Sequence, residues 1–226
     1  LAGLFSVSAL YHALAWRDRS GQGQHIDSAL LDVQVAMLAN LGANYLLSGT
    51  PPGRLGNGHP SIVPYQSFGT ADGYMLIAVG NDSQFAKYCT GLGHPEWAAD
   101  ARFTTNDARI RNRGALLALL EPTMRLRTTA QWVEVLEAVN VPCGPINDIG
   151  QAFALPQVAH REMIRTMPHP QSDELRFVGS PLKLSATPVQ YRRPPPLLGQ
   201  HTREVLQDVL GLDALAVAAL VEEGVL

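Results

Sequence analysis

Cysteine is scarce: Cys89 and Cys143 are the only two in 226 residues. A disulfide-stapled scaffold is therefore excluded, the pair makes no zinc spacing, and a reducing, cytoplasmic setting is the expectation. Charge is sparse as well, at 16% of residues with a balance of −3, which provides no field of one sign to attract nucleic acid or an anionic membrane. No apolar run approaches the roughly 18 residues of a membrane-spanning helix. Neither a Walker A motif nor a complete G-x-G-x-x-G is present, so a nucleotide cradle has no support on those grounds. His12, His25, His94, His160, His169 and His201 fall at no metal-ligand spacing, and no metal or bound cofactor is expected. Internal repeats and low-complexity tracts are missing too. What remains is an ordinary globular composition, 46% apolar. The length suits one large domain or two small ones.

The chain opens on Leu1 rather than methionine. Leu1–Trp16 is apolar, lacks the basic flank of a signal peptide, and has no capping residue before it. A helix is therefore expected to begin before Leu1, and the chain is read as a fragment. Leu1–Arg17 reads as a buried helix, stopped by Ser20-Gly21-Gln22-Gly23. Gln24–Asp27 reads as a short β run. Ser28 is the predicted cap of a helix over Ala29–Leu47, whose Leu30, Val33, Ala36, Met37, Leu41 and Tyr45 recur at three- and four-residue spacing. Ser48-Gly49-Thr50-Pro51-Pro52-Gly53 then breaks the chain, marking a domain boundary.

A glycine-rich loop follows at Gly56-Asn57-Gly58-His59-Pro60. Two β-type runs, Ser61–Phe68 and Tyr74–Val79, are joined by a turn at Asp72-Gly73, and Gly80-Asn81-Asp82 leads into a helix at Ser83. Loop, hairpin and capped helix in succession read as a mobile cover over a binding site. Thr105–Leu120 is predicted helical. Thr128 with Gln131 forms a capping-box pattern for the next helix. Asp148–Ala154 reads as a short helix ending before Pro156. Met163–Met167 and Leu175–Val178 are strand candidates, and two helices, His201–Gly211 and Asp213–Glu223, close the chain.

Six stretches, in order, resemble one known family: Arg17–Asp27 (RDRSGQGQHID), Gly56–Tyr65 (GNGHPSIVPY), Asp72–Phe85, Asp100–Arg113, Val141–Ile149 (VPCGPINDI) and Leu197–Val209. The chain is similar to the family III CoA-transferases, the CaiB/BaiF group. The resemblance implies an α/β fold: a Rossmann-like large domain, here partial, with an inserted small α+β domain, in an interlocked homodimer. On that pattern residues 1–53 end the first large-domain segment, 54–168 form the small domain, and 169–226 return to the large domain. The implied reaction moves coenzyme A, a substrate and not a cofactor, from an acyl-CoA to a carboxylic acid through an enzyme-bound aspartyl intermediate. The family's nucleophilic aspartate precedes the glycine matched to Gly3, upstream of Leu1, so the chain itself is expected to be inactive. An α-methylacyl-CoA racemase and a non-catalytic oligomerisation piece are the alternatives.

The resemblance makes Gly56, Asn57, Gly58, His59 and Asp82 the substrate-binding candidates. A loop that shields an activated thioester from water needs small residues to close. His59 is its titratable side chain, a donor for a carboxylate or thioester oxygen, with a merely packed histidine as the competing interpretation. Asp82 aligns where the racemases carry a glutamate; helix capping by Asn81-Asp82-Ser83 competes. Arg109, Arg111 and Arg113 suggest CoA phosphates, but their two-residue spacing favours a solvated helix face. Leu1–Trp16 and the helix after it are expected to leave apolar surface exposed unless another chain covers it.

Overall fold

The computed structural model describes residues 1–226. The chain divides into two compact units, Leu1–Ile146 and Asn147–Leu226. Helix and sheet are mixed along its length, as an α/β assignment requires.

The first unit begins with three helices, α1 (Ala2–Ser20), α2 (Leu30–Ala36) and α3 (Ala39–Ser48). The expectation of a buried first helix is corrected: α1 has no buried residue, and Leu4 and Tyr11 are each 70% exposed. Its apolar residues encircle the axis instead of forming a stripe, so the sequence marks a demand for cover without marking a face. Gln24–Asp27 forms no strand. The single helix expected over Ala29–Leu47 is two, bent by 75° at a break where Ala39 takes φ 45°. Ala29, not Ser28, occupies the cap position of α2. No single helix is long and apolar enough to cross a membrane.

The core of this unit is drawn from Val63 to Val141. Strands β1 (Tyr65–Gly69) and β2 (Tyr74–Ala78) pair antiparallel, Tyr65 opposite Ala78, and β3 (Cys143–Pro145) joins the far edge of β2. Alternation sorts the side chains of β2: Met75 and Ile77 are buried while Tyr74 and Leu76 face solvent. Helices α4 (Asp82–Leu92), α5 (Glu96–Ala99), α6 (Asn106–Arg111), α7 (Arg113–Met124) and α8 (Thr129–Ala138) follow. Phe85, Tyr88, Leu116, Leu120, Trp132 and Leu136 complete the apolar cluster with the sheet. Trp132 satisfies its indole N–H on the Met124 carbonyl at 2.7 Å, so its burial leaves no donor unpaired. The helix expected over Thr105–Leu120 breaks at Asn112, whose backbone leaves the helical region at φ −108°, ψ 25°.

Local chemistry sets the ends of these elements. The capping box of Thr128 and Gln131 forms as its spacing predicts, and Asp148 with Gln151 makes a second. In the second unit α9 (Ile149–Ala154) stops where expected, but α10 (Pro156–His160) restarts at once. Proline suits the first helical position, where an N–H has no intrahelical partner. Strands β4 (Ile164–His169) and β5 (Ser172–Val178) form an antiparallel hairpin whose register shifts between Met167 and His169, around Pro168. The Tyr191 hydroxyl accepts from the Ser180 N–H at 2.6 Å, and α11 (Thr202–Asp208) and α12 (Ala214–Glu222) end the chain.

Candidate functional site

The glycine loop is a built turn. The Gly58 N–H donates to the Leu55 carbonyl at 2.9 Å, and Gly56 sits at φ 59°, a left-handed position that a Cβ would penalise. Asn57 folds back on β1: its Oδ1 accepts from the Ser67 N–H at 3.2 Å and its Nδ2 donates to the Ser67 hydroxyl. The His59 N–H donates to the Tyr65 carbonyl at 2.9 Å, and the two rings stack with centroids 5.4 Å apart. The Nδ1 of His59 accepts from the Ser61 N–H at 3.1 Å. An accepting ring nitrogen carries no proton, so this contact assigns the proton of the neutral ring to Nε2. The loop is thus stitched to the strand that follows it.

The segment after the loop is held from α6, and the loop itself from α7. Asn106 donates to the Ser61 carbonyl at 2.8 Å and accepts from the Val63 N–H at 3.1 Å. Arg109 donates to the carbonyls of Val63 at 2.6 Å and Phe103 at 2.9 Å, and its guanidinium lies 4.4 Å from the centre of the Phe85 ring. Arg113 donates to the carbonyls of His59 and Pro60. The expectation of a solvated arginine face is therefore corrected: Arg109 is fully buried and Arg113 half-buried, and only Arg111 lies exposed, paired with Asp107. Two-residue spacing hid the pattern. Asn106 and Arg109 are three residues apart, on one face of α6, and Arg113 opens α7 beyond the break at Asn112. The first of these spacings was the available signal.

Asp82 stands in the first turn of α4, where a carboxylate is favoured by the helix dipole. Capping falls to Asn81, whose Oδ1 accepts from the Gln84 N–H at 2.9 Å. The Asp82 carboxylate instead accepts from Arg109 at 2.9 Å. Four of the five candidates, Gly56, Asn57, Gly58 and His59, are therefore brought together, whereas Asp82 joins them only through Arg109 and Val63. Gly56 and Asn57 are exposed; Gly58 and His59 are half-buried.

Neither thiol is poised to act as a nucleophile. Burial pushes Cys89 up to about 12 and raises Cys143 in the same direction. The described residues hold no cluster of His, Cys, Asp and Glu fit for a metal ion. In the second unit, a cavity of 340 Å³ is bordered by Arg161, Arg165, Lys183 and Tyr191, and another of 520 Å³ by Phe153, Ile164 and Phe177. A third, of 310 Å³, lies between α1 and α2 beside Phe5, Asp32 and Val33. None of these three is lined by the glycine loop.

The sequence model of CoA-transferase family III matches residues 1–202. The chain is 42% identical over 214 residues to the succinate–glutarate CoA-transferase of Agrobacterium fabrum, covering 95% of this chain and 54% of that protein. It is 39% identical over 223 residues to the human succinyl-CoA:glutarate CoA-transferase, covering 99% of this chain and 51% of the relative. The crystal structure of a CaiB/BaiF family protein from Brucella suis superposes with a TM-score of 0.74 at 42% identity, over 92% of this chain and 53% of that one. The chain thus spans about half the length of the curated relatives it matches.

Proposed function

The chain belongs to CoA-transferase family III, and on that footing we propose that it serves the transfer of coenzyme A from an acyl-CoA thioester to a free carboxylate. The observation that carries the reading is the pinned turn at Gly56–Pro60, in a chain matched by the family along residues 1–202. Relatives named for succinate and glutarate support a short dicarboxylic acid as the acceptor class.

The proposed route is covalent. An aspartate carboxylate attacks the thioester carbonyl and expels CoA thiolate, leaving a mixed anhydride. The thiolate attacks the aspartyl carbonyl, releases the donor acid and leaves an aspartyl-CoA thioester. The acceptor carboxylate repeats the two steps in reverse, and the aspartate is regenerated. Each step is easier than one concerted exchange. We assign the nucleophile outside residues 1–226. Two carboxylates of this region have structural work: Asp82 holds Arg109, and Asp72 accepts from Thr70 and Thr129. In this proposal residues 54–168, with the loop, form a small domain that covers the activated acyl group, and His59 presents Nε2–H to a substrate oxygen. A homodimer in the cytoplasm completes the proposal.

The test is exchange of labelled CoA between succinyl-CoA and unlabelled acids by the full-length polypeptide. Transfer to a short dicarboxylate, with no turnover by residues 1–226 alone, is the expected result. Solvent-deuterium uptake at the acyl α-carbon without CoA exchange would overturn it.

A further inference from the structure

Arg113 is a half-buried guanidinium with no acid partner. None of the ion pairs in the structure includes it. A single terminal nitrogen instead reaches two consecutive loop carbonyls, His59 O at 2.8 Å and Pro60 O at 3.1 Å. A Cβ on Gly58 would stand 3.1 Å from the Leu55 carbonyl oxygen and 3.3 Å from the other terminal nitrogen, so a side chain there would press on both the turn and the guanidinium. A cation in such a place would ordinarily be drawn to a carboxylate. Here its hydrogen bonds are spent on the backbone that carries one imidazole.

We propose that Arg113 is a positioning residue for His59. The proposal rests on the CoA-transfer reading above. The geometry leaves His59 little freedom. Its N–H is held by Tyr65, its carbonyl by Arg113 and its Nδ1 by Ser61, which leaves Nε2–H as the free donor. Removing the guanidinium releases the carbonyl anchor and leaves the ring to its Ser61 and Tyr65 contacts alone. A misplaced donor costs rate even when the donor itself is intact.

A double-mutant cycle tests this in the full-length protein, with Arg113→Gln, His59→Ala and the pair, read as kcat/KM for the acceptor acid and as thermal stability. Losing charge-assisted hydrogen bonds predicts a drop in kcat/KM of about tenfold for Arg113→Gln. In the His59→Ala background the same change should matter less than about twofold, because its target is gone. Arg113→Lys, which keeps the charge and loses the second contact, should fall between and supplies the cycle if the glutamine variant does not fold. Unchanged kcat/KM in Arg113→Gln, or an equal loss with and without His59, overturns the proposal. A full-length wild type that moves no CoA overturns the parent reading instead.

Discussion

The Asp82 carboxylate, 53% exposed, accepts a 2.9 Å hydrogen bond from Arg109, a guanidinium with no exposed side-chain surface. The two partners are unequal in what they hold. Asp82 has one strong contact and solvent. Arg109 also satisfies the buried carbonyls of Val63 and Phe103. Arg109→Met should therefore cost about 3–5 kcal/mol, because it strands those carbonyls. Asp82→Ala should cost about 1 kcal/mol, since water can replace the acid. Urea denaturation of both variants checks the order, and equal losses would show that the acid carries the pair.

The turn at Gly56 makes a separate demand. At φ 59° a Cβ meets the backbone, so Gly56→Ala should destabilise by about 1–2 kcal/mol. Gly53 has open space around its absent Cβ and no positive φ, so Gly53→Ala is the matched control and should be close to neutral. Denaturation midpoints decide; a neutral Gly56→Ala would mean that the turn adopts another conformation.

His59 separates two meanings of a packed histidine. If its Nε2–H serves a substrate oxygen, His59→Ala should lower kcat/KM for CoA transfer by about tenfold or more, at little cost in folding. His59→Asn retains a donor of shorter reach and should recover part of the rate. An alanine variant with wild-type kinetics and lowered thermal stability would leave the imidazole as a spacer stacked on Tyr65.

The sequence was most legible where the governing chemistry is local. Thr128 with Gln131, Asp148 heading α9, Asn81 before α4 and the turn at Asp72-Gly73 each need only neighbours within a few residues. Burial was not legible in the same way. Arginine is read as a surface residue by default, and nothing in the letters shows that Arg109 finds Val63 and Phe103 waiting as acceptors. The bend at Ala39 has no proline to announce it, only Gly42, where a Cβ would stand 2.9 Å from the Leu38 Cβ. In α1, apolar composition predicted burial, while burial depends on a partner surface that composition cannot supply. The loop was found through its glycines, but its distant anchor, Arg113, was missed because it lies more than 50 residues along the chain.

Exposed Leu4, Leu10 and Tyr11 on α1, with Leu46 and Leu47 on α3, make a further expectation. Residues 1–226 should bind an apolar dye or self-associate, because surface of this kind is driven out of water. Leu4→Glu with Leu10→Glu should reduce both effects. A monodisperse monomer that binds no dye would show these helices packed in some other way.

Asp72 ties the hairpin turn to the start of α8, and it should make stability depend on pH. Its Oδ1 accepts from the Thr129 N–H at 2.8 Å, the Thr129 hydroxyl at 3.1 Å and the Thr70 hydroxyl at 3.2 Å. These bonds, the Thr129 backbone N–H foremost, hold its carboxyl below the ordinary 3.8. A carboxylate with a depressed folded value stabilises fully above its unfolded value, and that contribution fades as pH falls through the folded one. Asp72→Asn should therefore be less stable than wild type at neutral pH, with the gap closing between about pH 5 and pH 2. Glu96 and Asp100 are depressed too, by their bonds with His94 and Arg102, and they lose stability over the same range in both proteins. The difference between the two urea-denaturation curves isolates Asp72. Curves that stay parallel down to acid would mean that the three donors recognise the shape of the side chain and not its charge.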